Sequence, residues 1–164
     1  MRWQNLLPVR RPFHLDESIN HAVKALIYRN DGRILLQQRD HAPGLPFPGF
    51  WTFFGGLVEQ GESLRNALER ELLEELGCVP GRVGEELFCW EWRGAGAALN
   101  HIFPVQCQVG DEALVLGEGL AMRWLSIEDL TAVPAVPGLI ENLAKIEEFL
   151  VSKHDCTPNS SSSS

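Results

Sequence analysis

Short runs of apolar residues, separated by polar and turn-forming residues, repeat along most of the chain and predict a series of β-strands. The runs at residues 21–29 and 33–40 are joined by Asn30-Asp31-Gly32. An Asp-Gly step in this position predicts a β-hairpin, because glycine tolerates a positive φ. Further strands are predicted at residues 86–92, 101–109 and 120–125. Residues 41–51 are rich in proline and glycine and predict a loop, and the small residues at 94–98 predict a turn.

Three segments carry helical signals instead. A central helix is predicted to begin after Ser63, which can cap it, and to end at Gly77. A short helix follows Ser126, and a last helix spans residues 138–153, where apolar residues recur at helical spacing: Leu139, Leu143, Ile146 and Leu150. Strands lie on both sides of the central helix in the sequence. The pattern therefore predicts an α/β fold in which helices cover both faces of a mixed sheet.

The central helix carries three glutamates, Glu71, Glu74 and Glu75, within about one turn. At about 100° per residue, Glu71 and Glu75 project into the same arc as the apolar residues of the helix, and Glu74 projects at its margin. A solvated charged face is the usual explanation of such a run, but that face would lie opposite the apolar arc. The pattern therefore predicts carboxylates that point into or beside the core.

Inward carboxylates cost free energy unless a cation compensates them. Side chains at i, i+3 and i+4 share a helix face, so the three groups can converge on one ion. Hard oxygen donors suit Mg²⁺ or Mn²⁺. Arg70 is a competing cation on the same helix, and we interpret it as a partner that orients the ligands. The sequence thus indicates a divalent-cation site on this helix.

Composition limits the classes of protein that fit. The formal charge of −8, with no basic run beyond Arg10-Arg11, argues against a nucleic-acid polymer as a partner. No apolar run is long enough to cross a bilayer and the first residues lack a secretory-signal pattern, so we expect a cytoplasmic protein without a membrane partner. The cysteines are scattered without a C-x-x-C pair, which predicts free thiols, buried at Cys78, Cys89 and Cys107.

The paired glycines and the acidic helix together resemble the signature of the Nudix hydrolases. The fixed positions of that signature fall on residues between 56 and 78, namely Gly56, Glu62, Arg70, Glu71, Leu72, Glu74, Glu75, Gly77 and Cys78. The resemblance implies an α/β/α sandwich with a mixed sheet between helices, as one domain over residues 1–156. It also implies hydrolysis of a nucleoside diphosphate linked to another moiety, with Mg²⁺ or Mn²⁺. Residues 157–164, which end in five serines, predict a disordered tail.

By position, the resemblance implies that Glu71, Glu74 and Glu75 bind the metal ion, with the backbone carbonyl of Gly56 as a further ligand. Arg70 is then the catalytic-site arginine that, together with Glu62, supports these ligands. The implied reaction is metal-assisted attack of water at phosphorus.

A glutamate that is not fully engaged as a ligand, either Glu74 or Glu75, is the expected general base. Glu118, which lies between Gly117 and Gly119 ahead of a predicted strand, is an alternative loop acid. Alternatively, Glu118 is a turn residue that is exposed to solvent and has no catalytic role.

The sequence identifies the residues that bind the rest of the substrate less clearly than it identifies the metal ligands. Arg39 can reach phosphate from the end of a predicted strand, as can Arg33 or Arg93, and Trp51 and Phe53 offer aromatic faces to a nucleobase. Aromatic residues in strands are also typical of a core, which applies to Trp51 and Phe53 and equally to Trp90, Trp92 and Phe103.

Many nucleotide-sanitising members of the family have Phe-Pro before the paired glycines, where this chain has Phe53-Phe54. This departure weakens the transfer of their substrate, the oxidised purine triphosphates, but not of the chemistry, because the metal-binding positions are intact.

Two alternatives stay open. A non-catalytic module would bind nucleotides in the same pocket, although such modules are expected to lose ligand glutamates and this chain retains them. A prenyl-diphosphate isomerase shares the fold but needs a placed cysteine acid, and neither Cys89 nor Cys107 has a special context. The expected partner is a small nucleotide-derived substrate. The oligomeric state, with a homodimer as one option, is not determined.

Overall fold

A mixed sheet forms the centre of the computed structural model, which describes residues 15–155. The strands within this range are β1 (His21–Tyr28), β2 (Ile34–Gln38), β3 (Trp51–Thr52), β4 (Phe54–Leu57), β5 (Phe88–Trp92), β6 (Ala98–Gln106) and β7 (Ala121–Leu125). They are ordered β3-β2-β1-β6-β5, with β4 also paired to β1 and β7 to β2. β1 and β6 run parallel and the other pairs are antiparallel. The predicted serine-rich tail lies outside the described residues.

The predicted hairpin is confirmed. Tyr28 pairs with Ile34 in the antiparallel register of β1 and β2, and Gly32 has φ of 82° in the turn between them. The three later strands are also present, although β6 begins at Ala98, within the segment that was predicted to turn. β3 and β4 were not predicted, because they are short and lie around the glycines. They form only where the chain pairs with β2 and β1.

The central helix, α1 (Leu64–Leu76), has the predicted ends. The Ser63 side chain accepts a hydrogen bond from the backbone N–H of Asn66 at 3.1 Å, which satisfies one of the free donors of the first turn. Gly77 closes the helix in the left-handed region with φ of 73°, and its N–H donates to the carbonyl of Leu73.

The prediction of a single helix over residues 138–153 was wrong. The segment forms two helices, α3 (Pro137–Glu141) and α4 (Leu143–His154), which follow the short capped helix α2 (Ile127–Leu130). Asn142 separates α3 from α4: its side-chain amide donates to the carbonyl of Gly138 at 2.7 Å, four residues earlier. The side chain thus takes the acceptor that a continuous helix would offer to the backbone N–H of Asn142.

Two apolar clusters lie on opposite faces of the sheet, as predicted. One contains the inward residues of α1, and the other contains Leu130 of α2, Leu139 of α3 and Ile146 of α4. Cys78, Cys89 and Cys107 are free thiols, but the prediction that they are buried was wrong, because Cys89 is exposed and the other two are half-buried. No helix within residues 15–155 is long and apolar enough to cross a membrane.

Two buried histidines, His21 of β1 and His101 of β6, and the exposed Glu86 form a polar chain. The rings of His21 and His101 are stacked, with Nδ1 of His21 3.0 Å from Nε2 of His101, and Nδ1 of His101 contacts the carboxylate of Glu86 at 2.5 Å. His101 therefore has a structural place in the sheet. It does not line the cleft described below.

Candidate active site

The helix α1 turns two of its three glutamates toward the sheet. Its apolar face is fully buried at Ala67, Leu68, Leu72 and Leu76. Glu75 on the same side is only 9% exposed, and the side chain of Glu71 is 15% exposed. The side chain of Glu74 is 59% exposed. This is the orientation that the helical spacing predicts.

The glycines of β4 allow the backbone to approach these carboxylates. A Cβ on Gly56 would lie 2.5 Å from the carboxylate carbon of Glu71, so only glycine leaves room for that side chain. Gly55 donates its backbone N–H to Oε2 of Glu75 at 2.7 Å, and Gln37 donates from Nε2 to Oε1 at 3.1 Å. Burial raises the pKa of Glu75, and these two hydrogen bonds oppose that shift.

Arg70 links Glu62, which precedes the helix, to Glu71 on it. Its guanidinium donates two hydrogen bonds to Glu62, from Nε at 2.8 Å and from Nη2 at 3.0 Å, and one from Nη1 to Glu71 at 2.9 Å. The same Nη1 lies 3.5 Å from the exposed Glu74. The hydrogen bonds from Arg70 are the main cause that lowers the pKa of Glu62 to about 2. The structure thus brings Arg70 and Glu62 together with Glu71.

A cleft opens beside Glu75 and encloses about 420 Å³, counted to its open mouth. It is lined mainly by polar and charged side chains; the lining residues are Lys24, Gln37, Arg39, Asp40, Leu45, Thr52, Phe53, Gly55, Glu75, Glu118 and Gly119. Two cations, Lys24 and Arg39, therefore share this cleft with three acids.

The two residues that follow β2, Arg39 and Asp40, form hydrogen bonds to two loops at the mouth of the cleft. Arg39 donates from Nε to the carbonyl of Pro46 at 2.9 Å, in the proline-rich loop. Asp40 accepts a hydrogen bond from the N–H of Gly119 at 3.2 Å. The N–H of Gly117 donates to the carbonyl of Glu75 at 2.8 Å, so this second loop also rests on the end of α1. These contacts place the exposed Glu118 on the wall that contains Glu75.

The residues suggested for substrate binding divide into two groups. Arg39 lines the cleft, and so does Phe53, although its side chain is 1% exposed and belongs mainly to the core. Trp51 is 4% exposed in the same core and is not among the cleft residues. Arg33 and Arg93 pair with the neighbouring acids Asp31 and Glu91 and do not line the cleft.

Sequence reasoning missed several cleft residues, among them Lys24, Gln37 and Asp40. A signal existed for Lys24, since it is a lysine in the middle of an apolar run that forms a strand. Nothing local marks Gln37, which reaches Glu75 across 38 positions of the chain.

The donor chemistry of this site suits a divalent cation. Glu71 and Glu75 offer hard oxygen ligands, and the Gly56 backbone lies against the carboxylate of Glu71. Within residues 15–155, no three His, Cys, Asp or Glu side chains are close enough together to hold a metal ion. Glu74 faces Arg70 and solvent, so two of the three glutamates face inward in this arrangement.

Fold and site together define a protein of the Nudix type, and comparison with known proteins places it there. The family model described as NUDIX domain matches residues 19–146. The chain belongs to the NUDIX family.

Two curated relatives and a solved structure are similar over most of the chain. The CTP pyrophosphohydrolase of Escherichia coli (strain K12) is 38% identical over 129 residues, which cover 78% of this chain and 90% of the relative. The prenyl-diphosphate phosphatase of Methanosarcina mazei is 32% identical over 138 residues, covering 80% of this chain and 79% of the relative. The solution structure of the E. coli ORF135 protein has a TM-score of 0.60 and 32% identity, and the match covers 85% of this chain and 94% of that one.

Proposed function

We propose that this protein is a metal-dependent hydrolase that cleaves a phosphoanhydride bond in a nucleotide-derived substrate by attack of water at phosphorus. The observation that carries the proposal is the pair of inward carboxylates, Glu71 and Glu75, set against Gly56 and Gly55 beside an open polar cleft. Buried carboxylates beside a cleft are typical of catalytic sites rather than of cores.

The proposed ligands of Mg²⁺ or Mn²⁺ are Glu71, Glu74, Glu75 and the carbonyl of Gly56. When bound, the ion would neutralise the negative charge of the diphosphate. Arg70 keeps Glu71 in place through its bonds to Glu62 and Glu71. Glu75 is held at both carboxylate oxygens and faces the cleft, and burial increases its affinity for a proton. We therefore assign to Glu75, as the ligand that the ion would not fully engage, the role of proton acceptor from the attacking water.

The lining of the cleft supports a nucleotide as the substrate. The E. coli relative is named for the hydrolysis of a nucleoside triphosphate, and the M. mazei relative for a prenyl diphosphate. A prenyl chain needs an apolar channel, whereas Leu45 and Phe53 are the large apolar residues on this wall and the others are mainly polar. Arg39 also lines the cleft and supports the proposal, because a guanidinium can bind a phosphate oxygen.

The experiment is a substrate panel on the purified protein with Mg²⁺ or Mn²⁺. The panel contains nucleoside triphosphates, dinucleoside polyphosphates, ADP-ribose, nucleotide sugars and a prenyl diphosphate, with products separated by ion-exchange chromatography. We expect hydrolysis of at least one nucleotide, its loss on addition of a chelator, and incorporation of ¹⁸O from labelled water into a phosphoryl product. Tight binding of a nucleotide without any turnover would instead identify a non-catalytic binding module.

A further inference from the structure

Lys24 is the single lysine or arginine of β1, and it interrupts a strand that is otherwise buried. Its neighbours Val23 and Ala25 are fully buried, while Lys24 is half-buried and lines the cleft. In the antiparallel register of β1 and β4, Lys24 pairs with Gly55, whose N–H holds Glu75. The topology therefore places Lys24 next to the backbone that holds Glu75, in the same cleft.

Both acidic and basic side chains lie near Lys24 and act on its charge in opposite directions. Burial lowers the pKa of Lys24, attraction to Glu75 and Glu71 opposes that shift, and repulsion from Arg39 adds to it. Within residues 15–155, no carboxylate lies within the 4.0 Å ion-pair distance of its nitrogen. Lys24 thus acts on the two glutamates through space and is not fixed to either of them.

Apart from Lys24, Glu71 and Glu75 differ in the groups that offset their negative charges. Glu71 has a direct cationic partner in Arg70 at 2.9 Å. Within residues 15–155, the hydrogen-bond donors that contact the Glu75 carboxylate are neutral, namely the amide of Gln37 and the N–H of Gly55. Neutral donors stabilise a carboxylate but leave its net charge in place, so the positive charge that acts on Glu75 comes from the two cleft cations, Lys24 and Arg39.

We propose that Lys24 is a positioning residue that serves as an internal counter-cation to Glu75 and Glu71. Its charge thereby lowers the affinity of this chain for its divalent ion. The inference rests on the proposed function, in which these carboxylates are ligands of that ion. A cation that enters beside Glu75 is attracted by the carboxylates and repelled by Lys24. The same lysine stabilises the protein when no ion is bound, because it offsets the charge of two inward acids.

Three variants test this inference. Lys24→Met keeps the unbranched stem and removes the charge, and Lys24→Arg keeps the charge. Lys145→Met is the matched control, because Lys145 lies on α4 over the ring of Phe88, is exposed, and does not line the cleft. The affinity for Mn²⁺ alone is measured by electron paramagnetic resonance and calorimetry, without substrate.

We expect Lys24→Met to bind Mn²⁺ at least about fivefold more tightly than the wild type, since the repulsion is removed. Lys24→Arg and Lys145→Met should stay within about twofold, which shows that the effect is local and not one of net charge. Unchanged or weaker binding by Lys24→Met would overturn the inference while leaving the proposed function intact. Wild-type protein that binds no Mn²⁺ would instead refute the proposed function.

Thermal unfolding provides a second readout that a purely structural role would not reproduce. The midpoint for Lys24→Met should fall without metal, and Mn²⁺ should raise it by more than it raises the wild-type midpoint. An equal loss of stability with and without Mn²⁺ would assign Lys24 to packing and contradict the inference. If Lys24→Met does not fold, Lys24→Gln replaces it in both measurements, with the same expected direction.

Discussion

Gly56 and Glu71 approach so closely that a Cβ on residue 56 would lie 2.5 Å from an oxygen and from the carboxylate carbon of Glu71. Gly56→Ala must therefore displace the Glu71 carboxylate. Because small errors in the position of catalytic groups are costly, we expect turnover to fall by about 10²-fold, with weaker Mn²⁺ binding. Leu57→Ala is the control, since this neighbouring side chain is 57% exposed. Wild-type turnover by Gly56→Ala would contradict the assigned role of Glu71.

Glu75 and Glu118 both line the cleft, but only Glu75 is held by hydrogen bonds at both oxygens. We expect Glu75→Gln to lower kcat by about 10²–10⁴-fold, the usual contribution of a general base. Glu118→Gln is expected to lower kcat by less than about tenfold, because that side chain is exposed on a loop. Steady-state kinetics on the substrate found in the panel measures both values. The reverse order of effects would make Glu118 the proton acceptor.

Glu74 differs from Glu75 in exposure, although both belong to the proposed ligand set. Glu74→Gln is expected to weaken Mn²⁺ binding and to cut turnover by at least about tenfold, because it removes one charged ligand. The fold should be unaffected, since the side chain is 59% exposed and contacts only Arg70 at 3.5 Å among the ion pairs of the described residues. Calorimetric titration with Mn²⁺ and circular dichroism check the two halves of this prediction. Full activity would remove Glu74 from the site.

The pair of Arg70 and Glu62 predicts a pH dependence of stability. Hydrogen bonds from Arg70 lower the pKa of Glu62 from 4.5 to about 2 in the folded protein. A lowered pKa means that the pair stabilises the fold fully above pH 4.5, and that this stabilisation is lost as the pH falls toward 2. The difference in Tm between wild type and Glu62→Gln should therefore shrink over that interval.

Glu147→Gln, at an exposed position on α4, serves as the control for this titration. Its Tm should follow that of the wild type at every pH. A difference between wild type and Glu62→Gln that stays constant from pH 6 to pH 2 would show that Arg70 and Glu62 are not coupled in solution.

The two faces of α1 give a test of the fold itself. Leu68 is fully buried and Leu73 is 55% exposed on the same helix. We expect Leu68→Ala to cost about 2–5 kcal/mol of the free energy of unfolding, because it leaves a cavity in the core. Leu73→Ala should change that free energy by no more than about 0.5 kcal/mol. Urea denaturation measures both, and similar losses for the two variants would contradict the packing of the helix.

The central helix and its acids could be read from the sequence because their signals are local. Ser63 and Gly77 bound the helix through contacts within four residues. The spacing of Glu71 and Glu75 relative to the leucines determines that they point inward, whatever the rest of the chain does. The hairpin at Gly32 follows from local conformational preference in the same way.

Only the tertiary structure decided what surrounds those acids. Gln37 reaches Glu75 across 38 positions, and Asp40 reaches Gly119 across 79. The pairing of β4 with β1 sets Lys24 beside the glutamates, and no property of either segment alone specifies that pairing. The break at Asn142 likewise depends on a side chain competing with the backbone for one carbonyl. Helix periodicity acts over a few residues, whereas the cleft is made by strands and loops that meet only after the chain has folded.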